Sequence, residues 1–587
     1  MNSKEHKING GIAEKILRVD LSNQEVSTEN TEDYAKRFLG GRAVNSYIML
    51  DELNPGTTWS DPENRLIFGV GCLVGTTAPA ACRVSIDTVN VYNNGKGSAN
   101  FGGHFGPELK YAGFDHVVIQ GKAEKPVYLF IHDGRAELKN ASEVWGKTTY
   151  ETEAMLQEEL GDQQIKVASI GPAGENLVKG SGIVADTGKV AGGSGVGCVM
   201  GGKNLKAIAV RGHGAIRVSR PDIFLNTVSD CVKKLIKTDH GKAFRQGIIR
   251  SMFTPESPIW DVAGDIIRNG QEAFWPIEKR RNLVDEKLGV PGYHKKMTAC
   301  FNCPIGCIPF SEIEEGKYKG TRGKAYWINS AQYSTRFDVD DPGASLRYHL
   351  LANQLGLDAD NTSVVLAWAF ECYQNGIITT RDTEGIELTW GNADAMLEML
   401  PKIAHRQGLG DALADGVIEA SRRFGRGSEK FAVHVKGQDT VDAYRASKGW
   451  ALGISTSPVA GRHLRGAVSG SGGSTSKYNA PPPLQYESQP EAVFWDSIIK
   501  EIEDVAGICV FAGSLFGAPI IEPSDYADLV SSALGVDLNE DELMFIGRQS
   551  VNLEKAFNTI HTDLKREDDY PPLRYMEEPI NAGPCEG

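Results

Sequence analysis

Three cysteines lie within eight positions, in the segment CFNCPIGC at residues 300–307, and this cluster constrains the fold more than any other feature. Cys300, Cys303 and Cys307 follow a C-x2-C-x3-C spacing, which lets three thiolates converge on one small inorganic core. Pro304 and Gly306 help the loop to turn around that core. A cluster held by thiolates needs four of them, so the fourth must come from elsewhere in the chain.

Two helix-ending turns share one pattern, NQLGLD at residues 353–358 and DVAGIC at residues 504–509. In each, a helical run ends at a glycine, where the backbone turns without hindrance from a Cβ atom, and polar side chains flank the turn. Two such turns suit two copies of one ligand. The second turn ends at Cys509, the candidate fourth thiolate. The cluster would then share a turn with that ligand, which is the adjacency that electron transfer between two cofactors needs.

A structural zinc site is the alternative for the cysteine loop. Zinc ligand spacings usually pair Cys-x2-Cys with a second Cys or His pair. The x3 spacing and the single distant cysteine favour a [4Fe-4S] cluster instead.

The 587-residue chain carries a formal net charge of −14, which argues against nucleic-acid binding because phosphate neutralisation needs a basic surface. The N-terminus is polar and no apolar stretch approaches the length of a membrane span, so we expect a cytoplasmic protein without such a span. The cysteines outside the cluster are scattered, unlike a disulfide framework. We interpret five of them as small buried apolar residues: Cys72, Cys82, Cys198, Cys231 and Cys372.

The sequence pattern changes near residue 217. Residues 14–130 read as short strands between Gly, Asn and Asp turn signals, and a glycine-rich run, GKVAGGSGVGCVMGGKN, follows at 188–204. From residue 218 onward, apolar residues recur at helical spacing and the runs end at glycine. A Gly-, Ser- and Pro-rich stretch at 457–483 predicts a binding loop or a linker. The pattern therefore predicts an α+β protein with a β-rich domain at 1–217 and helical domains at 218–432 and 433–587.

At this point the chain resembles a known family, the tungsten-dependent aldehyde:ferredoxin oxidoreductases, whose relatives include the tungsten subunit of class II benzoyl-CoA reductases. The resemblance covers nearly the whole chain and follows the family's order through GPELKYAGFDHVVIQG, VASIGPAGENLVK, GVGCVMGGKNLKAIAVRG, CFNCPIGC, NQLGLD, GRHLRGAVSG and DVAGIC. It implies a β-rich base domain beneath two mainly helical domains, with the cofactor between the three. The implied cofactor is tungsten, or molybdenum, held by the dithiolene sulfurs of two pyranopterins whose phosphates are bridged by Mg²⁺.

The resemblance also implies roles for individual residues. Each turn would bind one pterin, with Asp358 and Asp504 accepting hydrogen bonds from pterin N–H groups, and Asn353 would accept through its uncharged amide oxygen. Arg83 and Arg465 would contact phosphate or pterin, and the main-chain oxygens of Asn100 and Ala191 would reach the Mg²⁺. The implied cofactor-binding set is Arg83, Asn100, Lys189, Ala191, Asn353, Gly356, Leu357, Asp358, Arg465, Asp504, Gly507 and Ile508, and the implied cluster ligands are Cys300, Cys303, Cys307 and Cys509.

The chain departs from the family at one catalytic position. Aldehyde-oxidising members carry a Glu beside the metal, and its place here falls at Ile328 or at Ser334, depending on the alignment. The metal-ligating Cys of the benzoyl-CoA reductase relatives is absent there as well.

The partner of that Glu in the family is a histidine, and it is kept as His463 in AGRHLRG. Acid–base work would fall to His463 or to a neighbour of the missing Glu, and the candidates are Tyr326, Asn329, Tyr333 and Ser334. If the side chains of Arg462 and Arg465 approach His463, their charges would disfavour its imidazolium form.

These features predict an oxygen-sensitive tungsten oxidoreductase that interconverts an aldehyde and a carboxylic acid. Electrons would pass through the cluster to ferredoxin or to an iron–sulfur subunit, in a homodimer or a hetero-oligomer. One alternative is a low-potential reductase of an aromatic acyl-CoA or another activated carbonyl compound. A second is a catalytically silent paralogue that serves electron relay or assembly.

Overall fold

The computed structural model describes residues 7–245, 254–256, 266–442, 444–468, 481–514, 519–583 and 585–587. At residues 240, 244 and 327–330 it describes the backbone alone. The side chains of Ile328 and Asn329, two positions discussed above, therefore lie outside the described part, as does most of the loop predicted at 457–483.

The N-terminal part of the chain forms two six-stranded sheets, with strand orders β2-β1-β6-β3-β4-β5 and β11-β10-β9-β12-β7-β8. All neighbours pair antiparallel except β1 with β6 and β7 with β12. The strands are β1 (Lys15–Asp20), β2 (Glu25–Asn30), β3 (Leu66–Val70), β4 (Val84–Val89), β5 (Lys96–Phe101), β6 (His116–Gln120), β7 (Val127–His132), β8 (Arg135–Asn140), β9 (Lys166–Ser169), β10 (Ile183–Ala185), β11 (Lys189–Ala191) and β12 (Leu205–Arg211).

The sequences of the central strands fit their complete burial. Strands β3 and β4 are buried along their whole length, and β3 reads LIFGV without alternation, as expected for a strand covered on both faces. The edge strands β5 and β11 lie against each other, so the two sheets meet at that edge. The glycine-rich run at 188–204 includes β11 and therefore begins at this junction.

Helices α1 to α6 lie between the strands of the N-terminal part, and helices dominate the rest of the described chain, which confirms the predicted fold class. The helices are α1 (Glu32–Phe38), α2 (Gly41–Glu52), α3 (Phe105–Tyr111), α4 (Thr149–Glu159), α5 (Pro172–Glu175), α6 (Val196–Gly202), α7 (Pro221–Lys237), α8 (Asp239–Arg245), α9 (Ile267–Gly270), α10 (Ile277–Val284), α11 (Trp327–Phe337), α12 (Pro342–Leu355), α13 (Ala359–Gln374), α14 (Ala393–Ala404), α15 (Leu409–Leu413), α16 (Gly416–Phe424), α17 (Lys448–Thr456), α18 (Gln489–Ala506), α19 (Pro523–Leu534), α20 (Glu540–His561) and α21 (Leu573–Glu577). Short 3-10 turns occur at Val290–Tyr293, Ser428–Phe431 and Arg566–Asp569.

Two small sheets interrupt the helical part. Strands β13 (His294–Thr298), β14 (Ile308–Glu312) and β15 (Arg322–Lys324) form an antiparallel sheet, and β16 (His434–Val435) pairs with β17 (Gln438–Asp439). The cysteine loop is the connection between β13 and β14. In the described residues, no helix has both the length and the apolar character needed to cross a membrane.

Candidate metal and cofactor centre

The cysteine loop is anchored to the β-rich part of the chain. Asn302 has a positive φ of 47°, and its side-chain amide donates to the carbonyl oxygens of Thr77 at 2.5 Å and Ala78 at 3.0 Å. The backbone N–H of Ala80 donates to the carbonyl oxygen of Asn302 at 3.0 Å. These bonds hold the loop against the segment that leads into β4.

The predicted cysteines surround one cavity of about 220 Å³. It is lined by Cys300, Cys303 and Cys307 from the loop and by Cys509 from the second turn. Four thiols around one cavity match the donor set of a four-cysteine iron–sulfur cluster.

Two cations project into this ring of thiols. Arg83 donates to the Cys509 sulfur at 2.8 Å and, through its other terminal nitrogen, to the Asn100 amide oxygen at 3.1 Å. Lys189 hydrogen-bonds to Cys300. A hydrogen bond with Cys82 is the largest influence on Cys300, and with the charges of Lys189 and Arg83 it outweighs burial and holds the pKa of Cys300 well below its usual range. The cavity is therefore suited to a group that binds thiolates and carries negative charge.

Both helix-ending turns pack against glycines of the β-rich part. Helix α12 ends at Gly356 with φ 73°, and α18 ends at Gly507 with φ 82°. A Cβ atom on Gly71 would lie 2.1 Å from the backbone nitrogen of Gly507, and one on Gly171 would lie 2.7 Å from that of Gly356. Only glycine fits such approaches, so this part of the glycine excess has a packing cause.

The residue after each turn glycine pairs with the β-rich part in the same way. Leu357 forms an isolated antiparallel bridge with Ser181, and Ile508 forms one with Ala81. The two turns thus occupy matching positions on the two sheets. This repeat is what two copies of one ligand would require.

In the first turn, Asp358 is held by the backbone and by one arginine. Its carboxylate caps α13 by accepting from the Asp360 N–H at 3.0 Å, and Arg462 donates to its other oxygen at 2.7 Å. A Cβ on Gly192 would lie 2.8 Å from the Asp358 carboxyl carbon, so the glycine-rich run approaches this carboxylate closely. Arg462 Nε is buried without a hydrogen-bond partner among the described residues, which leaves a donor for a bound group. Sequence reasoning considered Arg462 only for its charge on His463.

In the second turn, Asp504 is surrounded by cations. Lys500 donates to one of its oxygens at 2.5 Å, and Arg42 and Arg465 lie 2.6 and 3.6 Å from the other. Burial alone would raise the pKa of Asp504, but these three charges outweigh it and hold the pKa well below its usual range. The sequence predicted an acceptor for pterin N–H groups here. A carboxylate oxygen has two lone pairs, so Asp504 can serve a cation and a further donor together.

Three of the remaining predicted cofactor residues lie where the two sheets meet. Asn100 belongs to β5, and Lys189 and Ala191 belong to β11, the two edge strands that contact each other where the sheets meet. Asn353 is buried in the last turn of α12, and its carbonyl oxygen accepts from the Thr149 hydroxyl at 2.8 Å.

His463 lies beside an acid that outweighs the expected effect of its neighbour Arg462. Its Nδ1 atom is 3.0 Å from an oxygen of Asp442, and its ring stacks on Trp450 at 5.1 Å. Burial alone would lower the pKa of His463, and the Arg462 charge also acts in that direction. The charge and hydrogen bond of Asp442, with help from Asp360, outweigh both, and the pKa is raised. The Arg462 charge thus acts in the expected direction, but the net effect is opposite, because tertiary structure brings Asp442 close to the ring.

The two other predicted catalytic side chains lie elsewhere. Tyr326 lines the cysteine cavity, with its ring centroid 5.6 Å from that of Phe511, so it belongs to the cluster side of the centre. Ser334 is buried on α11, and its hydroxyl has no hydrogen-bond partner within the described ranges.

Tyr333, one of the predicted acid–base candidates, pairs with an acid near His463 that was not predicted, Asp360. Tyr333 donates to an oxygen of Asp360 at 2.8 Å. Burial, followed by the nearby charge of Asp358, raises the pKa of Asp360 to about 6. The His463 charge acts on Asp360 in the opposite direction, which places the two groups within electrostatic reach of each other. The acid in LDAD, directly after the first turn, was the available sequence signal.

The fold and this centre define the class of protein, an oxidoreductase with a β-rich N-terminal part followed by a mainly helical part. The chain belongs to the aldehyde ferredoxin oxidoreductase family. Residues 16–212 match the family model of its N-terminal domain, and residues 264–587 match the model of its domains 2 and 3. The resemblance and the enzyme class inferred from sequence are thereby confirmed.

Individual relatives agree with this assignment. The chain is 33% identical to the tungsten-containing aldehyde ferredoxin oxidoreductase of Pyrococcus furiosus, over 98% of this chain and 93% of that protein. It is 31% identical to the WOR-like subunit of the aliphatic sulfonate oxidoreductase of the same organism, over 98% and 90%. The solved active site complex BamBC of benzoyl coenzyme A reductase, bound to 1,5-dienoyl-CoA, shares the fold with a TM-score of 0.83 at 23% identity, covering 96% of this chain and 91% of that chain.

Proposed function

We propose that the protein is a tungsten–bis-pyranopterin, [4Fe-4S]-containing oxidoreductase that interconverts an aldehyde and a carboxylic acid. Ferredoxin or an iron–sulfur subunit would carry the electrons. The observation that carries the proposal is the convergence of Cys300, Cys303, Cys307 and Cys509 on one cavity next to the second of two equivalent turns. The family's tungsten-containing members supply the identity of the metal, with molybdenum as the alternative.

The residues present fit these groups. The four thiols supply the donor set of a [4Fe-4S] cluster. Gly192 brings the glycine-rich run against the Asp358 carboxylate, and Arg462 Nε, which has no hydrogen-bond partner among the described residues, supplies a donor beside that carboxylate. Asn100 and Ala191 lie on the two contacting edge strands, where one Mg²⁺ could contact both main chains. When bound, the metal–pterin group would supply two-electron chemistry at the carbonyl carbon, and the cluster would supply single-electron transfer.

The two cofactors would be coupled through one short segment. Cys509 follows Ile508, the residue that bridges the second turn to the base domain. Arg83 hydrogen-bonds to Cys509 and to Asn100 at the sheet junction, so its guanidinium connects the cluster side with the proposed phosphate side. This arrangement keeps the electron path within a few covalent and hydrogen bonds.

Proton handling falls to residues that differ from the family's Glu. Converting an aldehyde and water into a carboxylate releases two electrons and three protons, so a base is needed near the carbonyl. Asp360, with its pKa of about 6 and its hydrogen bond from Tyr333, suits the acceptance of a proton near neutral pH. His463, whose pKa is raised by Asp442, suits the donation of a hydrogen bond to the substrate oxygen. We therefore assign proton transfer to Asp360 and His463 in preference to Tyr326 and Ser334.

The test is aldehyde-dependent reduction of a viologen dye by protein purified without oxygen, across short, long and aromatic aldehydes. The account predicts turnover with at least one aldehyde. Absence of turnover across the panel, in protein with full metal and cluster content, would contradict it. Oxidation of reduced viologen by an aromatic acyl-CoA would then identify the reductase alternative, and inactivity in both directions would identify the silent paralogue.

A further inference from the structure

We propose that Cys82, which is not one of the four cluster ligands, donates a hydrogen bond from its thiol to the sulfur of Cys300 and raises the reduction potential of the cluster. The inference rests on the [4Fe-4S] cluster of the proposed function. It assigns a specific part to a residue that the sequence suggested was only a small buried apolar side chain.

The backbone fixes Cys82 at the wall of the cavity. It follows Ala81, the partner of Ile508 in the bridge to the second turn, and its N–H donates to the Gly507 carbonyl oxygen at 2.9 Å. The side chain is 1% exposed and lines the same cavity as the four ligands. Cys82 is therefore held by the segment that carries Cys509.

The two sulfur atoms flank one glycine. A Cβ atom on Gly102 would lie 3.1 Å from the sulfur of Cys300 and 3.4 Å from that of Cys82. Because Gly102 has no Cβ, the sulfurs of Cys82 and Cys300 face one small space beside it.

The direction of this hydrogen bond follows from the chemistry of the ligand. Cys300 must be a thiolate to bind iron, so only Cys82 has a proton to donate. A cysteine that binds no metal keeps its proton at neutral pH, because an ordinary thiol has a pKa of about 8.5. The thiol has one other acceptor, the Ala80 carbonyl oxygen at 3.5 Å. A charged thiolate is the stronger acceptor, because charge-assisted hydrogen bonds exceed neutral ones.

A hydrogen bond to a ligand sulfur alters the redox equilibrium. The reduced cluster carries one more negative charge than the oxidised cluster, so a donor to its sulfur stabilises the reduced form more. Cys82 would thereby make the cluster an easier acceptor of electrons from the metal–pterin group. Arg83 and Lys189 act in the same direction, but they are cations and Cys82 is a neutral donor.

The test compares four proteins purified without oxygen: the wild type, Cys82→Ala, Cys82→Ser and the control Cys198→Ala. Cys198 is fully buried on α6 and is not among the residues that line the cavity. Each protein is analysed for iron and titrated by EPR at fixed potentials, without substrate. We expect about four irons per chain in all four. In Cys82→Ala the equilibrium between reduced and oxidised cluster should shift about tenfold towards the oxidised form. The reduction potential should therefore fall by about 59 mV, the value for a one-electron couple.

The variants separate the possible outcomes. Cys82→Ser keeps a donor and should lie closer to the wild type, and Cys198→Ala should not differ from it. An unchanged potential in Cys82→Ala would overturn the inference, and so would loss of iron from that variant alone, since Cys82 would then be a ligand. If Cys82→Ala does not fold, Cys82→Gly provides the same donor-free comparison. A wild type without iron would overturn the cluster itself, and the iron count reveals this before any variant is compared.

Discussion

Asp358 and Cys509 occupy equivalent positions in the two halves of the molecule. The N–H of Asp358 donates to the Gly180 carbonyl oxygen at 2.8 Å, and the N–H of Cys509 donates to the Ala80 carbonyl oxygen at 3.3 Å. The two turns thus share one pattern of backbone hydrogen bonds, but one ends in a carboxyl side chain and the other in a thiol. Under the proposed function, the second turn would therefore contact both the cluster and a pterin, whereas the first would contact a pterin alone.

Asp360→Asn tests the assignment of the proton acceptor. Asp360 has a pKa of about 6, so its ionised form accumulates above that pH, and the rate of aldehyde oxidation should rise through about pH 6 in the wild type. The variant should lose this rise and about 10²–10⁴-fold in kcat, the usual contribution of a general base. Stopped-flow dye reduction between pH 5 and 8 measures both.

The same variant has a built-in control for folding. The pKa of Asp360 in the folded protein is raised above its usual value. Ionisation of Asp360 therefore lowers the free energy of unfolding as the pH rises through about 6. Removing the charge should therefore not lower the thermal unfolding midpoint at pH 8. Asp360→Glu should retain the pH dependence. Wild-type kcat and pH profile in Asp360→Asn would show that another group accepts the proton.

Tyr333→Phe should move the pH profile instead of removing it. The Tyr333 hydroxyl donates to Asp360 and lowers its pKa, against the raising effects of burial and Asp358. Without this bond, the pKa of Asp360 should rise, and the rising limb of the rate should move to higher pH. An unmoved limb would mean that the bond does not form in the active enzyme.

Asp442→Asn should lower the pKa of His463. The Asp442 carboxylate, 3.0 Å from the ring, is the main group that outweighs burial, which on its own would lower the pKa. In the wild type the imidazolium therefore persists above the usual pKa of about 6.5, and in the variant it should be lost at lower pH. NMR titration of labelled histidine measures the change without any turnover. An unchanged His463 titration would contradict the pairing.

Arg42→Met should destabilise the protein strongly. Arg42 is fully buried and lies 2.6 Å from Asp504 and 3.4 Å from Glu554. Arg42 also pairs with the buried Glu501, and its removal would leave that carboxylate with only the Ser550 hydroxyl as a side-chain donor among the described residues. A buried carboxylate that loses its cation in this way costs about 3–5 kcal/mol. The control is Arg220→Met, because Arg220 pairs with Asp537 on the surface and such pairs contribute about 1 kcal/mol or less. Thermal unfolding at one fixed scan rate should separate the two variants clearly, and equal midpoints would contradict the buried network.

Gly507→Ala should displace the second turn, because the added Cβ would clash with neighbouring atoms in addition to straining the backbone. Gly507 has φ 82°, and an added Cβ would lie 2.3 Å from the Val74 side chain and 3.1 Å from Gly71. Gly146→Ala is the matched control, since Gly146 has φ 85° and no atom within 4 Å of an added Cβ. Both carry the backbone penalty of about 1–2 kcal/mol. Only Gly507→Ala should also lose iron, and equal iron contents would show that the turn tolerates the displacement.

The spacing of residues predicted the features that depend on local sequence. Short motifs encode the cysteine loop, the two glycine turns and the division into β-rich and helical parts. The structure places Cys509 beside the loop, as expected. The same motifs did not reveal Cys82 as a neighbour of Cys300, because that contact depends on where Gly102 leaves space.

Contacts between distant segments account for what the sequence did not predict. Tyr326 precedes α11 and was considered a catalytic candidate by position, but tertiary packing places it in the cysteine cavity. The pKa of His463 depends on Asp442, which is 21 residues away in the chain. No local pattern links these residues, so their pairing appears only once the three parts of the chain are packed together.

The most direct test of the account is metal analysis of protein purified without oxygen from cells supplied with both tungstate and molybdate. The account predicts about one tungsten and about four irons per chain, together with a pterin released by acid extraction, and loss of iron from Cys509→Ala. Four irons with neither tungsten nor molybdenum and no pterin would contradict the central claim. The protein would then be an electron-relay or assembly subunit built on the fold of an oxidoreductase.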